Sequence, residues 1–132
     1  MKEFDFITVH DRDTNNLVIL NIKYIYRITV EEEETVILFN YDNDMCSLEI
    51  KETPDKILNK LKEKGYNNFI KLHDIKNYPE ILNMNYIAVI SKDDDKISCK
   101  FCDHYYTTDV EVIEKLEKIQ EMIKNLSSKN LS

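Results

Sequence analysis

The chain has 132 residues, of which 42% are hydrophobic and 33% are charged, and this composition excludes an intrinsically disordered protein. The formal net charge of −7 repels nucleic acid phosphates and therefore disfavours direct binding to nucleic acid. No apolar run approaches the roughly 20 residues of a membrane span, and the start MKEFDF lacks an apolar signal segment, so we expect a cytoplasmic protein without membrane contact.

The sequence repeats itself. FITVHD (6–11) returns as FIKLHD (69–74), and LNIKYIYRI (20–28) returns as LNMNYIAVI (82–90), with nine of these 15 aligned positions identical. Because order and spacing are kept, we interpret the chain as two tandem repeats, residues 1–64 and 65–132. The linker LKEKGYNN is short, which leaves open whether the repeats share one core as a single compact unit.

The first strand of each repeat is predicted from its alternation. In FITVHD, Ile7 and Val9 fall on one face, and Phe6, Thr8 and His10 fall on the other. This is the pattern of a half-buried strand, with the second set of side chains facing solvent. FIKLHD predicts the same division in the second repeat.

The middle of each repeat is predicted to be antiparallel sheet. Short second strands end at Leu20 and Leu82, and Asn21 and Asn83 suit tight bends because an Asn side chain can bond the local backbone. Further strands are predicted over 24–30, 35–40 and 46–51, and over 86–91, 97–101 and 105–107. The acidic runs EEEE (31–34) and DDD (93–95) predict solvated hairpin turns.

Each repeat is predicted to end in a helix. Thr53 and Thr108 precede acidic residues and are predicted N-caps. Apolar stripes follow, formed by Ile57, Leu58 and Leu61 in the first helix and by Val112, Ile113, Leu116, Ile119 and Ile123 in the second. The predicted fold class is α+β, with two tandem β-rich repeats, each of about four or five antiparallel strands followed by a C-terminal helix.

Each repeat resembles the FlbD/SwrD-type small flagellar module. That module has a leading apolar strand, an L-N-x-x-x-I turn and strand, a hairpin, and a K-E-[ST]-x-x-x-[IV]-[IL] ending. IKETPDKIL (50–58) carries this ending, whereas YDND and CDHY replace the Asn-Gly hairpin turn of the family. The resemblance implies the strand-and-helix architecture, and for function it implies a flagellar or regulatory accessory role.

The repeated His-Asp pairs suggest either a metal or acid/base site or a structural role. Neighbouring residues of a strand point to opposite faces, so His10 and Asp11 cannot hold one ion from within a regular strand. The same holds for His73 and Asp74. We favour the structural role, in which each His lies on the solvated face and each Asp opens a turn.

The segment CKFCDH brings two cysteines and a histidine close together, but structural zinc needs four ligands, and Cys46 is the only other cysteine. We expect Cys99 to share the buried side of a strand with Ile97 and Phe101, and we expect free thiols in a reducing compartment. Gly65 is the only glycine, so a Gly-rich nucleotide loop is excluded. We predict no metal, no cofactor and no catalytic residue, and hence a protein that is not an enzyme.

Tyrosine is abundant, with eight Tyr and no Trp. Tyr24, Tyr26, Tyr86 and Tyr105 are predicted on strands, where each offers a ligand a flat ring and a hydroxyl. Arg27 stands beside Tyr26 and could hold a phosphate or carboxylate through two hydrogen bonds. These five residues form our predicted ligand-binding set. The alternative is that the tyrosines only pack against sheet faces.

Several functions are compatible with these features. The first is a non-enzymatic binding protein that sequesters a small anionic ligand such as a nucleotide signal. The second is an acidic inhibitor of a host nucleic-acid-handling enzyme, comparable to an anti-CRISPR protein, and the third is the flagellar accessory role. Ile, Lys and Asn supply 46 of the 132 residues, a skew typical of AT-rich coding that favours a low-GC bacterium, or a phage with an anti-defence protein. A homodimer is compatible with the sequence but does not follow from it.

Overall fold

A computed structural model describes residues 5–42, 44–102 and 107–131, and it confirms the α+β class with mostly antiparallel sheet and two helices. The first half contains β1 (Phe6–His10), β2 (Leu17–Asn21), β3 (Ile25–Glu31), β4 (Glu34–Tyr41), β5 (Asp44–Ile50) and α1 (Pro54–Glu63). The second half contains β6 (Phe69–His73), β7 (Pro79–Asn83), β8 (Ile87–Asp93), β9 (Lys96–Cys102), β10 (Thr107–Val112) and α2 (Leu116–Leu131). Single 3-10 turns, Ile22–Tyr24 and Met84–Tyr86, precede β3 and β8.

The described strands form three antiparallel sheets, and the largest contains strands of both halves. Its order is β5-β4-β3-β7-β6, with Arg27 of β3 opposite Leu82 of β7 and Ile28 opposite Ile81. Strands β1 and β2 pair with each other alone, and the third sheet has the order β10-β9-β8. The pairing of β3 with β7 is therefore the backbone junction between the halves.

The predicted alternation of the first strands is confirmed on their buried side. Ile7 and Val9 are buried in β1, as are Ile70 and Leu72 in β6. The opposite face differs between the halves, because Phe69 is only 3% exposed. The expected solvated face of the second copy is therefore wrong at Phe69, which packs into the same cluster as the apolar face of α1.

The predicted bends and turns are present. Asn21 and Asn83 cap the two 3-10 turns, each accepting a hydrogen bond from the backbone N–H two residues later. Glu32 and Glu33 have φ of 51° and 67° in the turn between β3 and β4, and Asp94 has φ of 55° between β8 and β9. These side chains are exposed, so the acidic runs form solvated hairpin turns.

The first helix begins as predicted, and the second does not. Thr53 caps α1 by accepting a hydrogen bond from the Lys56 N–H at 3.3 Å. The predicted helix start at Thr108 is wrong, because β10 covers Thr107–Val112 and α2 begins at Leu116. The reason is a period of two: Val110 and Val112 are buried, whereas Asp109 is exposed and Glu111 is half-buried, and this alternation is typical of a strand. Val112 and Ile113 consequently lie outside the helical stripe.

Each half has a hydrophobic cluster. The first is built around Ile25, Ile28, Ile57 and Leu61, and it includes Phe69 and Ile81 from the second half. The second contains buried residues of the second half alone, namely Ile70, Leu72, Leu82, Ile97, Cys99, Phe101, Val110, Val112 and Ile119. The first core therefore includes Phe69 and Ile81 from the second half, whereas no buried residue of the second core comes from the first half.

Asn83 stabilises the junction more than its counterpart Asn21. Asn83 Nδ2 donates to the Ile25 carbonyl at 2.8 Å, and Oδ1 accepts from Asn68 Nδ2 and the Asn85 N–H. We expect Asn83→Ala to cost about 2–3 kcal/mol of unfolding free energy, because buried partners lose their bonds. Asn21→Ala should cost about 1 kcal/mol, the usual value for a cap. Urea denaturation measures both, and equal losses would contradict this role.

Candidate functional site

A cavity of about 410 Å³ lies where the 3-10 turns of the two halves meet. Eight of its nine lining residues have a polar side chain, and the lining consists of Asp5, Asn21, Ile22, Lys23, Tyr66, Asn68, Asn83, Asn85 and Tyr86. Small-molecule sites usually have volumes of roughly 300–1,000 Å³. The cavity therefore has the size of a site for a small ligand.

Local sequence builds the two sides of this cavity in the same way. The Ile22 N–H donates to the Asp5 carbonyl at 3.0 Å, and the Met84 N–H donates to the Asn68 carbonyl at 2.7 Å. Each bond ties a 3-10 turn to the residue that precedes the first strand of its half. The β3–β7 junction then brings the two turns to one place.

Tyr86 is the member of the predicted site that lines the cavity. Its hydroxyl donates to the Lys23 carbonyl at 2.8 Å, and the Tyr26 ring meets it edge-on with centroids 4.4 Å apart. Burial, followed by the nearby Tyr24, raises the pKa of Tyr86, so its hydroxyl stays protonated at neutral pH. Tyr26 is 5% exposed and is absent from the cavity lining.

Two charged groups line the cavity. The Lys23 amine lies 6.0 Å from the centroid of the Tyr24 ring, which is 43% exposed. Asp5 lies 3.4 Å from the Lys64 amine. Burial and the neighbouring Asp5 raise the pKa of Tyr66, which keeps its phenol neutral. Lys23 is the lysine among the lining residues, and it has no ion-pair partner among the described residues.

Arg27 lies elsewhere, against a buried carboxylate. Its Nη1 is 3.4 Å from Oε1 of Glu80, whose side chain is 3% exposed. Thr29 Oγ1 donates a hydrogen bond to the other carboxylate oxygen. Within the described ranges, Arg27 Nε and Glu80 Oε1 have no hydrogen-bond partner. The structure thus places Arg27 in an internal ion pair and outside the cavity.

The four predicted site residues that the structure describes do not lie in one site. Tyr86 lines the cavity, Tyr24 and Tyr26 lie beside it, and Arg27 faces Glu80. Tyr105 lies outside the described residues. Sequence reasoning missed the amides that supply half of the eight polar lining residues, Asn21, Asn68, Asn83 and Asn85, although the repeated Asn before each 3-10 turn was a usable signal.

The repeated histidines each bind a glutamate. His10 Nδ1 lies 2.7 Å from Glu52 Oε2, and the His10 backbone N–H donates to Oε1 at 2.9 Å. His73 and Glu114 repeat both contacts at 2.7 and 2.9 Å. Each pair fastens the end of a first strand to the segment that leads into the helix. This geometry is structural, and Glu52 and Glu114 are equivalent positions that the sequence alignment did not match.

The adjacent aspartates open turns, as predicted. Asp11 Oδ1 accepts a hydrogen bond from the Thr14 N–H at 3.0 Å, and Asp74 Oδ1 accepts one from the Lys76 N–H at 2.9 Å. The bond from Thr14 lowers the pKa of Asp11. His10 and Asp11 thus serve different contacts on opposite sides of the strand.

Cys99 packs in the second hydrophobic cluster. Cys99 is buried together with Ile97 and Phe101, as predicted, and burial raises its pKa to about 11. His104 of the CKFCDH segment lies outside the described residues. In the part of the chain that is described, no group of three or more His, Cys, Asp or Glu side chains could hold a metal ion.

Comparisons with protein-family models, curated proteins and solved structures find no match to this chain. No helix in the described ranges is long and apolar enough to span a membrane.

The buried Glu80 should make stability fall with rising pH. Burial raises the pKa of Glu80, and attraction to Arg27 and the bond from Thr29 only partly offset this. Glu80 keeps its proton to a higher pH in the folded state than in the unfolded chain. The free energy of unfolding therefore falls as the pH rises from 4.5, the ordinary pKa, through the pKa of Glu80 in the folded state. Glu80→Gln cannot titrate. We expect the wild type to lose stability relative to Glu80→Gln between pH 4.5 and neutrality, measured by urea unfolding. Exposed Glu117→Gln controls for net charge, and parallel curves for wild type and Glu80→Gln would contradict the prediction.

Glu52 should act in the opposite direction. Burial opposes its ionisation, but the hydrogen bonds from His10, the bond to the backbone of Glu52 itself and the charge of Lys60 together lower the Glu52 pKa. The stabilisation by ionised Glu52 is present above pH 4.5, the ordinary pKa, and is lost as the pH falls through the pKa of Glu52 in the folded state. We expect Glu52→Gln to cost about 1 kcal/mol at neutral pH, with the difference shrinking in acid. A pH series of unfolding curves measures it, and a difference independent of pH would refute it.

Proposed function

We propose that this protein is a non-enzymatic, cytoplasmic binding protein that sequesters a small anionic ligand, such as a nucleotide signal, in the cavity between its two halves. The observation that carries the proposal is the position of Lys23. Lys23 lines a cavity of about 410 Å³, and its amine has no ion-pair partner among the described residues. An ammonium group in such a position attracts phosphate or carboxylate.

The remaining lining suits the neutral part of such a ligand. Asn amides both donate and accept hydrogen bonds, which matches the mixed edge of a nucleobase. Tyr86 and Tyr66 add aromatic surface, and burial keeps their phenols protonated. Asp5 is already close to Lys64, which reduces its repulsion of an anion. These groups hold and orient a ligand, so we propose capture of the ligand and not catalysis.

A second candidate function is inhibition of a host nucleic-acid-handling enzyme through an acidic surface. The observation that favours it is a pair of exposed acidic hairpin turns, Glu31–Glu33 between β3 and β4 and Asp93–Asp95 between β8 and β9. Such turns complement a basic groove. A salt-sensitive pull-down with a purified nucleic-acid enzyme tests this role, and binding that is unaffected by charge reversal of both turns excludes it.

We infer that the chain arose by tandem duplication of a module resembling the FlbD/SwrD-type flagellar family. Support comes from the order of five strands and a helix, which occurs twice, and from bulges at equivalent places in β3 and β8. The paired contacts of His10 with Glu52 and His73 with Glu114 add to it. A flagellar or regulatory accessory role would follow from this origin, and motility genes beside the gene would be its test.

Lys23 should decide ligand affinity. Purified protein is incubated with a pool of ribonucleoside phosphates and cyclic dinucleotides, and any retained nucleotide is titrated by calorimetry. We expect Lys23→Gln to weaken binding about tenfold or more, equivalent to about 1.4 kcal/mol. Lys118→Gln, an exposed substitution on α2, is the matched control and should bind like the wild type. If no nucleotide is retained, or if both variants bind equally, the proposed ligand class is rejected.

A further inference from the structure

One face of the β1–β2 ribbon carries exposed apolar side chains. Phe6, Leu17 and Ile19 are 41%, 59% and 63% exposed, and cross-strand pairing places them on one side of the ribbon. The equivalent face of the β6–β7 ribbon is covered, since Phe69 and Ile81 are 3% and 0% exposed. The same sequence motif is thus buried in one half and open in the other.

The β6–β7 ribbon shows which elements can cover its apolar face. Phe69 and Ile81 pack in one cluster with Ile28 of β3 and with Ile57 and Leu61 of α1. The edge of β7 is meanwhile paired to β3. A β-ribbon of this kind is therefore received by two elements together, the edge of a third strand and the apolar side of the helix that follows the sheet.

The second half has the equivalent surface, and none of the described strands covers it. β8 is an edge strand, paired only with β9 among the described strands. A groove of about 290 Å³ runs between it and α2, lined by Ile90, Leu116, Ile119, Gln120 and Ile123. Ile90 is the equivalent of Ile28, and Ile119 and Ile123 are the equivalents of Ile57 and Leu61. Ile123 is half-buried where Leu61 is fully buried.

We propose that a second copy of this chain covers this surface, with its β1–β2 ribbon docked on β8 and α2. Strand β2 of one copy extends the β10-β9-β8 sheet of the other and makes a five-stranded sheet like the one inside the chain. The internal register transfers directly, so Leu20 lies opposite Val89 and Ile19 opposite Ile90. Phe6 and Ile19 then enter the groove along α2.

The internal β3–β7 junction and the proposed junction between copies differ in one pair of facing side chains. Inside the chain, Arg27 of β3 pairs with Glu80 of β7. At the two free edges the equivalent residues are Val89 and Val18, so a charged pair is replaced by an apolar pair. Val89 is 48% exposed in the single chain. A partner strand with a charge at position 18 would leave that charge buried without a counter-ion, and the two valines avoid this cost.

The contact is head to tail, because different surfaces of the two copies meet. Such an interface leaves one ribbon and one groove open at the ends of a two-copy chain, unless the rotation between copies closes a ring. Association also removes two sheet edges, which otherwise invite nonspecific strand pairing. This assembly is independent of the ligand proposed for the cavity, and it is tested without ligand.

Light scattering after size exclusion tests the assembly. We expect the wild type to have at least twice the mass of the 15.8 kDa chain at high micromolar concentration. Ile19→Glu should block the ribbon, and Val89→Glu should block the β8 edge, so each variant alone runs as a monomer. Ile75→Glu changes an isoleucine that is also 63% exposed but lies in the β6–β7 turn, and it should assemble like the wild type.

Mixing the two blocked variants gives the sharper result. Val89→Glu keeps an intact ribbon and Ile19→Glu keeps an intact groove, so an equimolar mixture should form a one-to-one heterodimer. A symmetric contact of one surface with itself gives no such rescue. Circular dichroism and thermal melts show that each variant is folded before mixing. A monomeric wild type, or folded variants that fail to combine, overturns the proposal.

Discussion

The antiparallel pairing of β3 with β7 is the interaction on which the rest of the structure depends. Only two residue pairs define it, Arg27 with Leu82 and Ile28 with Ile81, yet it joins the two halves in one sheet. It places Phe69 and Ile81 under α1 and completes the first core. It also brings the two 3-10 turns together and creates the cavity that we assign to a ligand.

The junction combines favourable and costly contacts. Asn83 satisfies three polar partners there, and its bond to the Ile25 carbonyl is buried. Arg27 and Glu80 form a buried ion pair whose geometry leaves polar atoms unsatisfied, and such pairs add little or no net stability. In the proposed contact between copies the equivalent residues are Val89 and Val18, so the charged pair distinguishes the internal junction from that contact.

The two halves contain equivalent side-chain contacts but present different exposed surfaces. In both, a histidine and a glutamate fasten the first strand to the entry of the helix, and an aspartate opens the following turn. Among the described strands, β2 pairs only with β1, and β8 pairs only with β9 beside the α2 groove. The proposed self-association uses these outer edges, whereas the proposed ligand site lies at the internal junction, so the two proposals are compatible.

The sequence alone determined the features that depend on a few neighbouring residues. Alternation placed Ile7 and Val9 inside, Asn21 and Asn83 marked the 3-10 turns, and Thr53 marked the start of α1. Local signals also misled, since Thr108 resembles a cap while the Val110 and Val112 side chains bury a strand face.

Only the tertiary structure decided which strands pair across long separations. It buried Phe69 while leaving Phe6 exposed, paired His10 with Glu52 42 residues away, and turned Arg27 toward Glu80. The physical reason is that these outcomes depend on which surface covers a given face, and periodicity and capping preferences act within a few residues of the chain. The repeated motifs FITVHD and FIKLHD therefore have different environments once the β3–β7 junction has formed.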